Sequence, residues 1–82
     1  MTLEQYRHQI DKIDKQLLET LEKRFEICKQ IGQWKKKNNK AFEDLEREKQ
    51  IIESKTKLSQ LPKQFIKEFF QLIFKQSKEA QR

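Results

Sequence analysis

Two cations stand where core residues are expected in the first half of this chain, and both are of the kind that grip anions. Ile10, Leu17 and Ile31 mark the seam of a long amphipathic helix at intervals of seven and fourteen, and Arg24 takes the position between Leu17 and Ile31. Lys35 follows Arg24 by 11 residues. That is about three turns, so the two cations share nearly one face roughly 16 Å apart along the axis, where long side chains can converge on one small anion. Further along, Glu48 follows Asp44 by four and precedes Ile51 and Ile52 by three and four, which places it on an apolar face with Arg47 beside it. Ser77 and Gln81 extend the stripe of Ile66, Phe70 and Ile73 and point inward. Taken singly, each has an ordinary explanation. A seam cation can snorkel or pair with a carboxylate, Arg47 and Glu48 can be plain charged surface, and Ser77 and Gln81 can be solvated. Taken together, two cations, a carboxylate, a hydroxyl and an amide directed at apolar faces are expensive without a shared polar ligand.

Arg7 adds a geometric constraint. It precedes Arg24 by 17 residues, roughly 25 Å along one helix, so the two cannot touch the same small molecule within a chain. They can do so between chains. If two copies of the first helix pair antiparallel about a two-fold axis near Leu17 and Leu18, Arg7 of one copy falls opposite the stretch between Arg24 and Lys35 of the other.

The elements that must carry these residues are helices. Among 82 residues there are one Gly, one Pro and no Val, while Lys, Glu, Gln and Leu abound, which describes high helix propensity and few places to turn. Leu, Ile and Phe supply 22 residues, too many for a disordered chain, and the length suits one small domain, 1–82, whose core is marginal for a lone monomer. The expected fold is all-α, with three helices, and a second copy of the chain is expected to supply the missing core. The first runs from Thr2, in capping-box spacing with Gln5, through Leu3, Tyr6, Ile10, Ile13 and Leu17 to about Asn38. Its apolar set widens beyond Leu17 to include Leu21, Phe25, Cys28, Ile31 and Trp34, enough for contacts on two sides. Gly32 lies inside that run with no turn residue adjacent, which predicts close packing against another backbone. The second helix starts at a cap from Asp44 and runs to about Lys57; Ser59 to Leu61 connect it to a third, with Pro62 in the first turn and Phe65, Ile66, Phe69, Phe70, Leu72, Ile73 and Phe74 on its apolar face. A first helix of roughly 55 Å is too long for the rest of its own chain to cover.

A net charge of +6 and pI near 9.6 suit nucleic acid, an acidic membrane surface or an anionic small molecule without separating them. Lys36, Lys37 and Lys40 read as a solvated charge run, and the lone His8 as a surface residue. A single Cys28 forms no bridge within the chain and reads as a small buried residue; with no signal-like or membrane-spanning run, a reducing, cytoplasmic setting is expected.

The order and spacing of Arg7, Ile10, Asp14, Leu17 and Leu18, then Arg24, Gly32 to Lys35, the Asp44, Arg47, Glu48 set, and Ser77 with Gln81 resemble the all-helical chorismate mutases over nearly the whole chain. The resemblance implies an intertwined homodimer with two equivalent sites, each completed by Arg7 of the partner chain. It further implies the rearrangement of chorismate to prephenate, a concerted [3,3] shift that requires no nucleophile, metal or cofactor. Arg7 and Arg24 would clamp the two substrate carboxylates, Lys35 and Gln81 would donate to the ether oxygen, and Glu48, with the backbone near Asp44, would accept from the ring hydroxyl. Ser77 would support a carboxylate, and Arg47 would orient the ring region and Glu48. Two departures concern the loops: Ala41 stands where the family commonly has Pro, and the link from Lys57 to Leu61 is short and lacks Gly. Two alternatives stay open. One is an isochorismate pyruvate lyase of the same fold, against which the Asp44, Arg47, Glu48 set weighs. The other is a noncatalytic basic helical dimer binding nucleic acid, whose cations should lie on outward faces.

Overall fold

The computed structural model describes all residues, 1–82, as three helices: α1 (Leu3–Lys37), α2 (Leu45–Leu58) and α3 (Lys63–Gln81). Local chemistry sets each boundary. At the start of α1, Thr2 Oγ1 accepts from the Gln5 amide at 3.2 Å while the Thr2 amide donates to Gln5 Oε1 at 2.7 Å, the reciprocal box anticipated from the spacing. At its end, Asn39 adopts φ 53° and turns the chain left-handed, with the Lys40 amide bonded to the Lys35 carbonyl at 2.8 Å. Asn tolerates that conformation better than other non-glycine residues, so the helix stops two residues after Lys35 and the chain doubles back over it. Asp44 caps α2, its Oδ1 accepting from the Arg47 amide at 3.0 Å. Pro62 stands one position earlier than expected, as the N-cap of α3. Its φ of −56° suits a helix, but its ψ of 137° is extended, so the helical run opens at Lys63.

The helix α3 packs against both α1 and α2, whereas α1 and α2 make no helix–helix contact with each other. Arg24 meets Ser77 and Lys35 meets Gln81, so α3 runs in the same direction as the second half of α1. At Gly32 the two helices come into close backbone contact. A Cβ there would lie 2.6 Å from Gln81 Cα and press on the Gln81 carbonyl oxygen, so the expected close backbone approach is real and needs glycine. No helix is long and apolar enough to cross a membrane.

Only seven of 82 residues are buried, and the apolar ones with side chains are Cys28, Ile66, Ile73 and Phe74. A single chain therefore has almost no closed core. The first half of α1 is bare: Leu3, Tyr6, Ile10, Ile13, Leu17 and Leu18 are each about half exposed or more. The expected apolar face of α3 is also wider than its neighbours cover, since Phe65 and Leu72 remain open, while Phe65 stacks on Phe69, Phe69 meets Phe70 edge-on and Phe70 leans on Phe74 along the helix. The uncovered apolar residues of α1 and α3 thus form continuous stripes at helical spacing.

Candidate active site

Where the second half of α1, the start of α2 and the last two turns of α3 converge, they enclose a cavity of about 290 Å3. Arg24 and Lys35 enter from α1, Asp44, Arg47 and Glu48 from the start of α2, and Ser77 and Gln81 from α3. Cys28, Ile31, Ile51 and Phe74 supply apolar wall between them. Seven of the eight residues singled out in the sequence thus line one space. The eighth, Arg7, does not: it lies near the other end of α1, 66% exposed, with its guanidinium 3.4 Å from Glu4.

The polar residues hold one another in place. Arg24 Nη1 donates to Ser77 Oγ at 2.7 Å, and Ser77 Oγ in turn donates to the Ile73 carbonyl at 2.7 Å. Ser77 spends its one proton on the backbone, so its support of a bound carboxylate runs through Arg24. The remaining guanidinium donors, apart from a long contact with Cys28 Sγ at 3.8 Å, are left for a ligand. Lys35 Nζ donates to the Phe42 carbonyl at 2.9 Å and to Gln81 Oε1 at 3.1 Å. Two of its three protons are therefore used and one remains. Because Gln81 accepts through Oε1, its amide nitrogen is left as a donor. Gln81 and Ser77 are buried, at 9% and 6% exposure, as their place on the α3 stripe predicts. No buried side-chain polar atom lacks a partner, so the site is assembled before any ligand arrives.

One lining residue escaped the sequence reading. Lys78 Nζ lies 2.9 Å from Glu43 Oε1 and 3.2 Å from Glu48 Oε2, bridging the α1–α2 connection and α2 to α3. The signal was present, because Phe70, Phe74 and Lys78 repeat by fours and Phe74, Ser77, Lys78 and Gln81 form one helical face. The hydrogen bonds to Glu43 and then Glu48 raise the Lys78 pKa above the ordinary lysine value, outweighing the opposing desolvation. The ammonium is accordingly charged at neutral pH. The stabilisation it brings is complete below the unfolded lysine pKa and is lost as pH rises through the raised one. The Phe42 carbonyl, delivered by the left-handed turn at Asn39, was also not foreseeable from side-chain types.

Four cations (Arg24, Lys35, Arg47, Lys78) and two carboxylates (Asp44, Glu48) leave the cavity with a formal charge of +2. Such a space suits a small dianion, with fixed donors at one end and a carboxylate acceptor at the other.

Comparison with known proteins agrees with this geometry. A family model described as "Chorismate mutase type II" matches residues 6–82. The bifunctional chorismate mutase/prephenate dehydratase of Buchnera aphidicola subsp. Schizaphis graminum is 37% identical over 75 residues, covering 88% of this chain and 20% of that protein. Its counterpart in Buchnera aphidicola subsp. Acyrthosiphon pisum is 34% identical over 80 residues, covering 94% of this chain and 21% of that protein. The chain thus spans about a fifth of the length of these curated relatives. No solved structure gives a significant match. With the family match running from the second turn of α1 to the last residue of the sequence, and through every residue that lines the cavity, this chain belongs to the type II chorismate mutases.

Proposed function

We propose that residues 1–82 form one chorismate mutase domain that converts chorismate to prephenate by holding the substrate in a compact conformation and stabilising charge on the breaking ether oxygen. The observation that carries the proposal is the pair Lys35 and Gln81, joined at 3.1 Å, each keeping a donor free beside the anchored guanidinium of Arg24. A concerted rearrangement asks for no nucleophile. It asks for preorganised donors where negative charge grows and for a clamp on the carboxylates that keeps the reacting carbons in contact. In this reading Arg24 takes one carboxylate, Lys35 and Gln81 face the ether oxygen, and Glu48 at the α2 end accepts from the ring hydroxyl. Arg47, together with the capped backbone at Asp44, borders the ring region. The excess of cations over carboxylates in the cavity lining suits an anionic substrate.

The second carboxylate is assigned to Arg7 of a second copy. The bare stripe from Leu3 to Leu18 and the near absence of a core in one chain support an antiparallel homodimer. Arg7, with no task in its own chain beyond an exposed pair with Glu4, would then reach the opposite cavity. Four cations turned toward a cavity weigh against a nucleic-acid-binding dimer, and the Asp44, Arg47, Glu48 set at the cavity's α2 end weighs against the lyase.

The test is direct: purified protein added to chorismate should abolish the substrate's absorbance with formation of prephenate. Absence of any change in a folded, helical sample would overturn the assignment, and release of pyruvate from isochorismate in its place would establish the lyase.

A further inference from the structure

Lys78 is the one cation at the cavity to which the proposed chemistry gives no part. Its ammonium bridges Glu43 and Glu48 at 2.9 and 3.2 Å, with its side chain 30% exposed. Because the backbones of α1 and α2 stay apart, the position of α2 at the cavity depends chiefly on α3 and on the connection before it. From α1, Arg24 and Lys35 are tied to α3 through Ser77 and Gln81; from α2, the ion-paired tie is Glu48 to Lys78. This is the only ion pair Glu48 makes, and its side chain is 22% exposed. Facing it are Arg24 and Lys35 from α1, Glu43 from the connection, and Asp44 and Arg47 at its own helix start.

We infer that Lys78 is a positioning residue for the site, bridging Glu43 and Glu48 so that the Glu48 carboxylate stays at the α2 end of the cavity and off the cations meant for substrate. The physical argument is competition. A Glu side chain has three rotatable bonds, and three carboxylates crowd this end of α2 at positions 43, 44 and 48. Released from Lys78, the Glu48 carboxylate is repelled by its acidic neighbours and drawn toward Arg24 and Lys35, where it would take the place of a substrate carboxylate. Lys78 thus keeps an acceptor in a site whose main business is binding anions. The inference rests on the mutase reading of the cavity for its catalytic consequence, though not for the bridge itself.

The experiment is a double-mutant cycle. Lys78→Met should raise KM and lower kcat/KM by about 10- to 100-fold, the scale on which groups that orient a site residue act. Lys78→Arg, which keeps the charge, should recover most of the loss. In a Glu48→Gln background, where no carboxylate remains to be held, Lys78→Met should add less than about threefold. Multiplicative losses in the cycle would mean that Lys78 acts on substrate directly or on folding, and would overturn the inference. A second measurement needs no turnover: the Lys78 ammonium, followed by nitrogen NMR, should titrate above an ordinary lysine and fall when Glu48→Gln is introduced. An unchanged titration in that variant overturns the bridge whatever the activity. A normal bridge in a protein inert toward chorismate would instead refute the mutase reading and leave the bridge standing.

Discussion

Replacing Gly32 by alanine tests how the crossing of α1 and α3 is coupled to chemistry. The added methyl would lie 2.6 Å from Gln81 Cα and 2.8 Å from Gln81 C. Carbon atoms pack at about 3.5 to 4 Å, so the last turn of α3 must retreat by about 1 Å. The obstacle is backbone, which no rotamer change relieves. Two effects on stability oppose each other: overpacking costs about 1 to 3 kcal/mol, at the low end where a helix end can yield. Alanine in place of glycine within a helix returns about 1 kcal/mol. The net change in unfolding free energy is therefore within about 1 kcal/mol. Activity has no such compensation. A shift of about 1 Å in Gln81 opens its 3.1 Å contact with Lys35 and misplaces the remaining amide donor, and misplacement on that scale costs about 100-fold in rate. Thermal denaturation monitored by circular dichroism should show a midpoint within about 8 °C of the parent's, while kcat for chorismate falls about 100-fold. A Gly32→Ala protein with normal turnover would refute the claim that this backbone contact sets the donor position.

Three further outcomes bear on the site and its assembly. Lys35→Ala should lower kcat by about 10² to 10³, as loss of one preorganised donor does, with helical content intact; near-normal turnover would remove Lys35 from the chemistry. Gln81→Glu should confine activity to acidic pH, because a carboxyl group donates only while protonated; a profile like that of the parent protein would count against the ether-oxygen assignment. If Arg7 serves the opposite cavity, Arg7→Ala and Arg24→Ala proteins, each inactive, should regain about a quarter of normal activity when unfolded together and refolded. Random pairing makes half the dimers mixed, and each of those has one intact site. No recovery, or a monomer in sedimentation, would refute the shared site.

Much of this arrangement is legible in sequence because it depends on local or periodic features. Thr2 with Gln5 and Asp44 with the Arg47 amide are contacts within four residues, so their spacing is their geometry. The inward direction of Arg24, Lys35, Ser77 and Gln81 follows from helical periodicity alone, since a helix's faces are set by its own 3.6-residue repeat. The order of those residues also carries the resemblance to the family whose model matches residues 6–82.

Other features depend on how the helices meet, which no single helix encodes. That α3 contacts both of the others while α1 and α2 stay apart decides that the cavity opens between them and that α2 needs a tie to α3. Lys78 sat on a visible stripe, but whether a lysine there faces water or two carboxylates depends on where the α1–α2 connection lands. Ser77 was identifiable as inward-pointing, yet only the packed structure shows its proton spent on Ile73 and its lone pair on Arg24. By itself, then, the sequence determined three helices, their caps and the polar residues on their apolar faces. Tertiary structure decided which of those residues hold one another, because a side chain's direction is a local property and its partner is not.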